Sequence, residues 1–350
     1  MHRGVFPVSA HLRKVGWLFS FGVLVLVVRE MHVETLPKKL AGVDWRLLVV
    51  AALLGIVPVL LQTVRWRYLL GSATVRFSTV LQAVYLGSLA NLIIPLRTGE
   101  FVRGLVVSRR TARSLASVFS TEFIERVADA LAMAGMIWLV ARVVSMPGIL
   151  GPVQVVLQVV LLLFVLLVVV AIVGEKPLRR RLTSWSPPGR YARGARRTGL
   201  DVASGLPLLR NWRAVTLSVS TAAGMIVVQA VILWLALRAF HVHLNLLQVA
   251  AVQAVISMGT LVPSTPGNLG SWQMACVVGL TMFGVDHATA ATFSLVVFLV
   301  LSLPTLVGGV IALATSPLNL AQLRGARHAH PHGERLEPVP IPVHIVDPER

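Results

Sequence analysis

The chain has 350 residues, 56% of them hydrophobic and 13% charged, with a mean hydropathy of +0.79 and a formal net charge of +18. That balance excludes an ordinary soluble domain, and repeated apolar runs of about 20 residues, each enough to cross roughly 30 Å of hydrocarbon, mark a polytopic membrane protein. Most of the arginines lie between those runs, so the charge speaks for orientation and headgroup contact rather than for nucleic acid, and the single cysteine, Cys276, excludes an intrachain disulfide.

Taken in chain order, the hydrophobic pattern predicts an all-α protein of about six full spans with two interrupted hairpins. The first half, residues 1–145, reads as spans at 13–29 and 46–64, a hairpin at 78–110 and a span at 118–141. Residues 11–28 are read as a retained span rather than a signal peptide, because no small-residue cleavage pattern follows. The hairpin is broken at "NLIIPLRTGEFVRG", where Pro and Gly interrupt an apolar helix at a depth where it should continue.

The second half, residues 150–315, repeats the order with spans at 153–173 and 214–238, a hairpin at 246–283 broken at "VPSTPGNLGSWQ", and a span at 288–314. A basic loop at 174–213, with ten Lys or Arg, separates its first two spans and is expected to be cytoplasmic; residues 318–350, rich in Pro, His and charge, are expected to be a disordered tail. His328, His330 and His332 in that tail are read as solvated rather than as a metal site.

Charge counting decides whether the hairpins cross. If the first turns back to its own side, 24 of the 32 Lys and Arg fall inside and six outside, and both termini are cytoplasmic; if it crosses, the ten-charge loop is placed outside. In this count Arg65, Arg67 and Arg76 belong to an inner loop. Aromatic residues give the same orientation, with Trp17, Trp66, Tyr68 and Trp212 near inner ends and Trp45, Trp138 and Trp234 near outer ones. Three crossings per half require the halves to be inverted, a pattern of secondary transporters whose sites lie at discontinuous helices near the midplane. Multi-pass residence in the cytoplasmic membrane follows as the expectation.

Charge inside the apolar pattern points to the site. Glu122, Glu125, Arg126 and Asp129 open the span "TEFIERVADALAMAGMIWLV" and share one helical stripe, although each ionised group in hydrocarbon costs roughly 2.5–3.5 kcal/mol on insertion scales. Within the stripe Glu122 can reach Arg126, and Glu125 can reach Asp129. Three carboxylates there meet one guanidinium, so partners from other segments are expected; Arg97 and Arg103, beside Glu100, are the candidates. Two readings follow: a salt-bridge network pinning a broken helix, or a hydrated cavity in which Arg97, Arg103 and Arg126 grip phosphate oxygens through planar donor forks. The second break supplies backbone donors and tight turns through Pro263, Pro266, Gly267, Asn268 and Gly270, with Gln273 just beyond.

These two motifs resemble the lysylphosphatidylglycerol synthase transmembrane-region family, also called flippase-like integral membrane proteins. The matching residues are Asn91, Pro95, Arg97, Gly99, Glu100 and Arg103 in the first break, Glu125, Arg126 and Asp129 in "ERVAD", and Pro263, Pro266, Gly267 and Gly270 in the second. The resemblance covers about residues 13–315. It implies movement of a phospholipid or lipid-linked glycan between leaflets. The soluble aminoacylating domain of some members is not expected here, since little chain follows the last span. Two departures stand out: Asn268 where a further glycine is common, and Gln273 where an acidic residue is common.

The leading expectation is therefore a lipid translocase rather than an enzyme, with no cofactor and no metal, and with anionic phospholipid or lipid-linked glycan as its partner. No phosphate-binding G-x-x-x-x-G-K-[ST] motif occurs, so transport is passive, ion-coupled or powered by a partner. A homo-oligomer or a partner enzyme is compatible with the pattern. The alternatives are an ion-coupled transporter of a small soluble anion and, less favoured because no histidine lies in a span, a membrane enzyme acting on a lipid-linked sugar.

Overall fold

A computed structural model of the protein describes residues 40–71, 75–94, 98–111, 113–143, 180–181, 183–184, 211–260 and 266–316. The expected spans at 13–29 and 153–173, most of the basic loop and the tail lie outside them, as do Arg97 and Pro263. The described residues are helical and contain no strand.

The Asp44 carboxylate accepts from the N–H groups of Arg46 and Leu47, capping α1, Trp45–Leu54. α2, Ile56–Leu69, follows after a kink at Gly55; Pro58 has no N–H to offer the Leu54 carbonyl, and Gly55 N–H bonds to the carbonyls of both Ala51 and Ala52. Together they form one apolar stretch, Trp45–Leu69, long enough to cross a membrane; α6, Trp212–Ala239, and α9, His287–Ala314, meet the same criterion. α5, Leu115–Val143, has comparable length but carries the charged stripe in its first half.

Between these long helices lie two hairpins of short ones. α3, Phe77–Ile93, and α4, Gly99–Thr111, have 17 and 13 residues; α7, Leu246–Gly259, and α8, Ser271–Thr281, have 14 and 11. At 1.5 Å per residue none exceeds about 26 Å, short of the roughly 30 Å of hydrocarbon. Small residues let the arms of each hairpin lie close: a Cβ on Gly99 would strike the Gly87 carbonyl, and one on Gly259 would strike Ala275. An apolar core of Leu48, Leu237, Val252, Cys276, Leu280 and Phe293 holds the second hairpin among α1, α6 and α9.

The second span corrects the sequence reading. The helix expected to stop at residue 64 runs on to Leu69, so Arg65 and Arg67 are helical rather than part of an inner loop, and Arg65 is fully buried. Trp66, expected near an interface, is also fully buried, whereas Trp45, Trp138 and Trp212 are exposed. Arg65 is held there by carboxylates on α5, and Trp66 packs against the Arg103 guanidinium.

Candidate functional site

Glu125 is the centre of the carboxylates on α5. Its Oε1 accepts from Arg65 Nε at 3.1 Å and its Oε2 from Arg103 Nη2 at 2.7 Å, with all three side chains buried. Arg65 Nη1 also donates to Asp129 Oδ1 at 2.7 Å and to the Ser218 carbonyl of α6 at 3.4 Å. Arg103 Nε lies 3.0 Å from Glu122 Oε1, close enough for charge attraction but off the line of a hydrogen bond. The Arg103 guanidinium stacks 4.7 Å over the Trp66 ring, and the indole N–H donates to Thr121 Oγ1 at 3.0 Å. Four helices, α2, α4, α5 and α6, are thereby tied at one level, and each buried charge has an opposite one beside it, the condition under which burial is tolerated.

At the edge of this network the pairs are looser. Arg126 Nη2 lies 3.3 Å from Glu100 Oε1 and Nη1 lies 3.4 Å from Asp129 Oδ2, with the Arg126 side chain 41% exposed. Arg126 and Glu100 face a cavity of about 450 Å³. α3 contributes Ser88 and Asn91 to its wall, α8 contributes Trp272, and α9 contributes Phe298, Ser302 and Thr305.

The two helix breaks meet at this cavity. Asn91 Oδ1 accepts from Gly99 N–H at 2.7 Å, bridging the first break and fixing the start of α4. In the second, a short turn at Pro266–Asn268 places Gly267 and Asn268 in the left-handed region, with φ of 62° and 56°, and both line the cavity. A Cβ on Gly267 would lie 3.0 Å from Leu92, so this turn packs directly onto the end of α3. The departure at Asn268 has a conformational explanation, because asparagine tolerates the left-handed backbone better than most side chains.

The structure sorts the expected residues into three groups. Glu100, Arg126, Gly267 and Asn268 line the cavity. Arg103, Glu122 and Glu125 are buried in the ion network, and Asp129 joins that network to Arg126. Gly270 and Gln273 hold the start of α8: the Gly270 N–H donates to Gln273 Oε1 at 2.6 Å, and Gln273 is fully buried. Pro266 begins the short turn, while Arg97 and Pro263 fall outside the described residues.

The expected pairing is corrected in one respect. Glu122 lies against Arg103, and Arg126 lies against Glu100 and Asp129, so Arg103 is occupied within the network and does not share the cavity wall with Arg126. Arg65, Trp66, Asn91 and Trp272 were not singled out as site residues; the signal for the first was present, since the stripe's surplus of carboxylates called for a cation from another helix. Among the described residues no group of His, Cys, Asp and Glu is arranged to hold a metal ion.

Residues 14–309 match the family model described as lysylphosphatidylglycerol synthase TM region. The chain belongs to that family. No curated protein and no solved structure is matched. Membership in the lysylphosphatidylglycerol synthase TM region family, with helices long and apolar enough to span, makes this a membrane protein whose function concerns membrane lipids.

Proposed function

We propose that the protein is a lipid translocase of the cytoplasmic membrane, with both termini in the cytoplasm, that carries the phosphate-bearing headgroup of a phospholipid or lipid-linked glycan through the cavity while the acyl chains stay in the bilayer. No covalent bond is made or broken. The barrier to such movement is removal of water from an ionised headgroup, and a polar lining lowers it by supplying replacement donors. The architecture behind this reading is an inverted repeat, supported by the order of long helix, broken hairpin, long helix that occurs twice, around α3–α4 and around α7–α8.

Arg126 is the observation that carries the reading. Among the described lining residues it is the guanidinium, it is partly exposed, and its two carboxylate contacts, at 3.3 and 3.4 Å, are long. A guanidinium held in this way has donors to give to phosphate oxygens, in contrast to Arg65 and Arg103, whose short bonds are internal. The test is leaflet exchange of tail-labelled phosphatidylglycerol in phosphatidylcholine vesicles containing the purified protein. Wild type moves label out of its starting leaflet and Arg126→Ala does not; equal rates in the two would remove Arg126 from the pathway.

A further inference from the structure

Two neutral residues of the cavity wall have their remaining hydrogen bonds fixed by the ones they already make. Asn91 commits its side-chain oxygen inside the protein, accepting from the Gly99 N–H at 2.7 Å, which leaves its amide NH2 to donate. Ser302 commits its proton, donating to the Phe298 carbonyl at 2.7 Å, which leaves the lone pairs of its hydroxyl oxygen to accept. Both residues line the cavity, so a ligand there meets a set donor on α3 and a set acceptor on α9.

One turn before Ser302 on α9, Phe298 joins Trp272 in an aromatic surface on the same cavity, with ring centroids 5.6 Å apart and planes inclined at 53°. Trp272 sits in the first turn of α8, which is held by the Gly270 N–H donating to Gln273 Oε1 at 2.6 Å and by the Met274 N–H donating to the Gly270 carbonyl at 2.9 Å. A flat ring fixed beside hydrogen-bonding groups suits a ligand with an apolar face and a polar edge. The volume of about 450 Å³ falls among pockets that enclose whole small ligands, roughly 300–1,000 Å³, and so has room for more than a phosphate. These demands separate headgroup chemistries. A primary ammonium has donors and no acceptor, so it cannot meet the Asn91 amide, and a quaternary ammonium meets neither Asn91 nor Ser302. A hydroxyl both donates and accepts. A hydroxylated ring carries several at its edge, and the C–H bonds on its faces suit the negative face of an indole.

We propose that the headgroup carried through this cavity is a phosphate bearing a hydroxylated ring, a sugar or cyclic polyol, with the phosphate on Arg126, the ring against Trp272, and ring hydroxyls accepting from Asn91 and donating to Ser302. This rests on the translocation reading above and adds to it a choice of substrate class. Arg126 serves any phosphate-bearing headgroup, whereas Asn91, Ser302 and Trp272 tell one such headgroup from another. Ring hydroxyls that lose water on entry find replacement partners here. A headgroup without hydroxyls leaves the Asn91 donor and the Ser302 acceptor unmatched, and a site built to hydrogen-bond a hydroxyl discriminates strongly against the analogue that lacks it.

The experiment compares leaflet exchange of three tail-labelled anionic lipids by the full-length protein in phosphatidylcholine vesicles, read with a membrane-impermeant quencher against protein-free vesicles. Phosphatidylinositol carries a hydroxylated ring, phosphatidylglycerol an open chain with two hydroxyls, and phosphatidylpropanol the same chain with none. Wild type moves phosphatidylinositol fastest and phosphatidylpropanol slowest, with about a tenfold difference between those two, the size expected for one or two matched hydrogen bonds. Ser302→Ala and Trp272→Leu, whatever their absolute rates, each lower the ratio of phosphatidylinositol to phosphatidylpropanol exchange severalfold, and Trp272→Leu also removes the advantage of phosphatidylinositol over phosphatidylglycerol. Equal wild-type rates for all three lipids overturn hydroxyl recognition while leaving translocation intact, and phosphatidylglycerol moving as fast as phosphatidylinositol overturns the ring. Wild-type ratios retained in both variants overturn Ser302 and Trp272 as the residues that choose. Labelled phosphatidylethanolamine moving faster than phosphatidylinositol gives the cavity to an amine instead, and absence of exchange for every lipid overturns both readings.

Discussion

Arg65 and Asp129 meet at 2.7 Å, and through this contact the buried ion network reaches the cavity, because the second oxygen of Asp129 faces Arg126 at 3.4 Å. A residue on α2 thus fixes the carboxylate that steadies the cavity's guanidinium. Rigid support from behind and loose pairing in front are what a site needs if it is to exchange an internal partner for a ligand while the scaffold stays in place.

Arg65→Met tests the support. The substitution keeps most of the side chain's bulk but leaves Glu125 with one cation instead of two and strips Asp129 of its short bond. Breaking a buried pair by deleting one partner costs about 3–5 kcal/mol. The purified variant is therefore expected to unfold at a clearly lower temperature than wild type in detergent, and an unchanged transition would mean that the network is not holding the helices.

How much of this was legible beforehand follows from what kind of contact each residue makes. The breaks were readable because Pro and Gly act locally, as was the stripe at 122, 125, 126 and 129, because helical spacing is local too. Arg65 was not: its partner Glu125 is 60 residues away, and an arginine ending an apolar run looks like a loop residue until the carboxylate that neutralises it is known. The burial of Trp66 was hidden for the same reason, since its partners Arg103 and Thr121 are distant in sequence. Spacing in the second break also gave no means of separating Asn268, which lines the cavity, from Gln273, which turns inward to cap α8.

Asn268 offers a conformational test. Its φ of 56° lies where glycine is unstrained and asparagine is tolerated. Asn268→Gly should leave thermal stability close to wild type, whereas Asn268→Val, β-branched in a left-handed position, should cost about 1–2 kcal/mol. A valine variant as stable as wild type would show that the turn at the cavity does not hold this backbone.

The contact between α9 and α3 can be tested by a pair of substitutions. A Cβ on Gly308 would collide with the Tyr85 ring, and one on Gly309 would lie 2.6 Å from Leu89 Cβ, so the two helices touch through glycine. Gly308→Ala is expected to lower the unfolding temperature, and Tyr85→Ala in the same chain to recover part of the loss by giving the methyl room. Direct neighbours of this kind couple by about 0.5–3 kcal/mol in a double-mutant cycle; strictly additive effects would place the two residues apart.

Arg126→Lys separates charge from geometry at the cavity. Lysine keeps the positive charge but replaces a planar fork with a single ammonium, which cannot span Glu100 and Asp129 as Nη2 and Nη1 do and meets a phosphate as a point charge. Loss of one charge-assisted hydrogen bond is worth about 1.5–3 kcal/mol, or roughly 10- to 100-fold in rate if it falls on the transport barrier. On the translocation reading, leaflet exchange of labelled phosphatidylglycerol in Arg126→Lys is expected to fall between wild type and Arg126→Ala. Full activity with lysine would mean that the cavity needs only a positive charge at this position, and that the paired donors of the guanidinium play no part in recognising the headgroup.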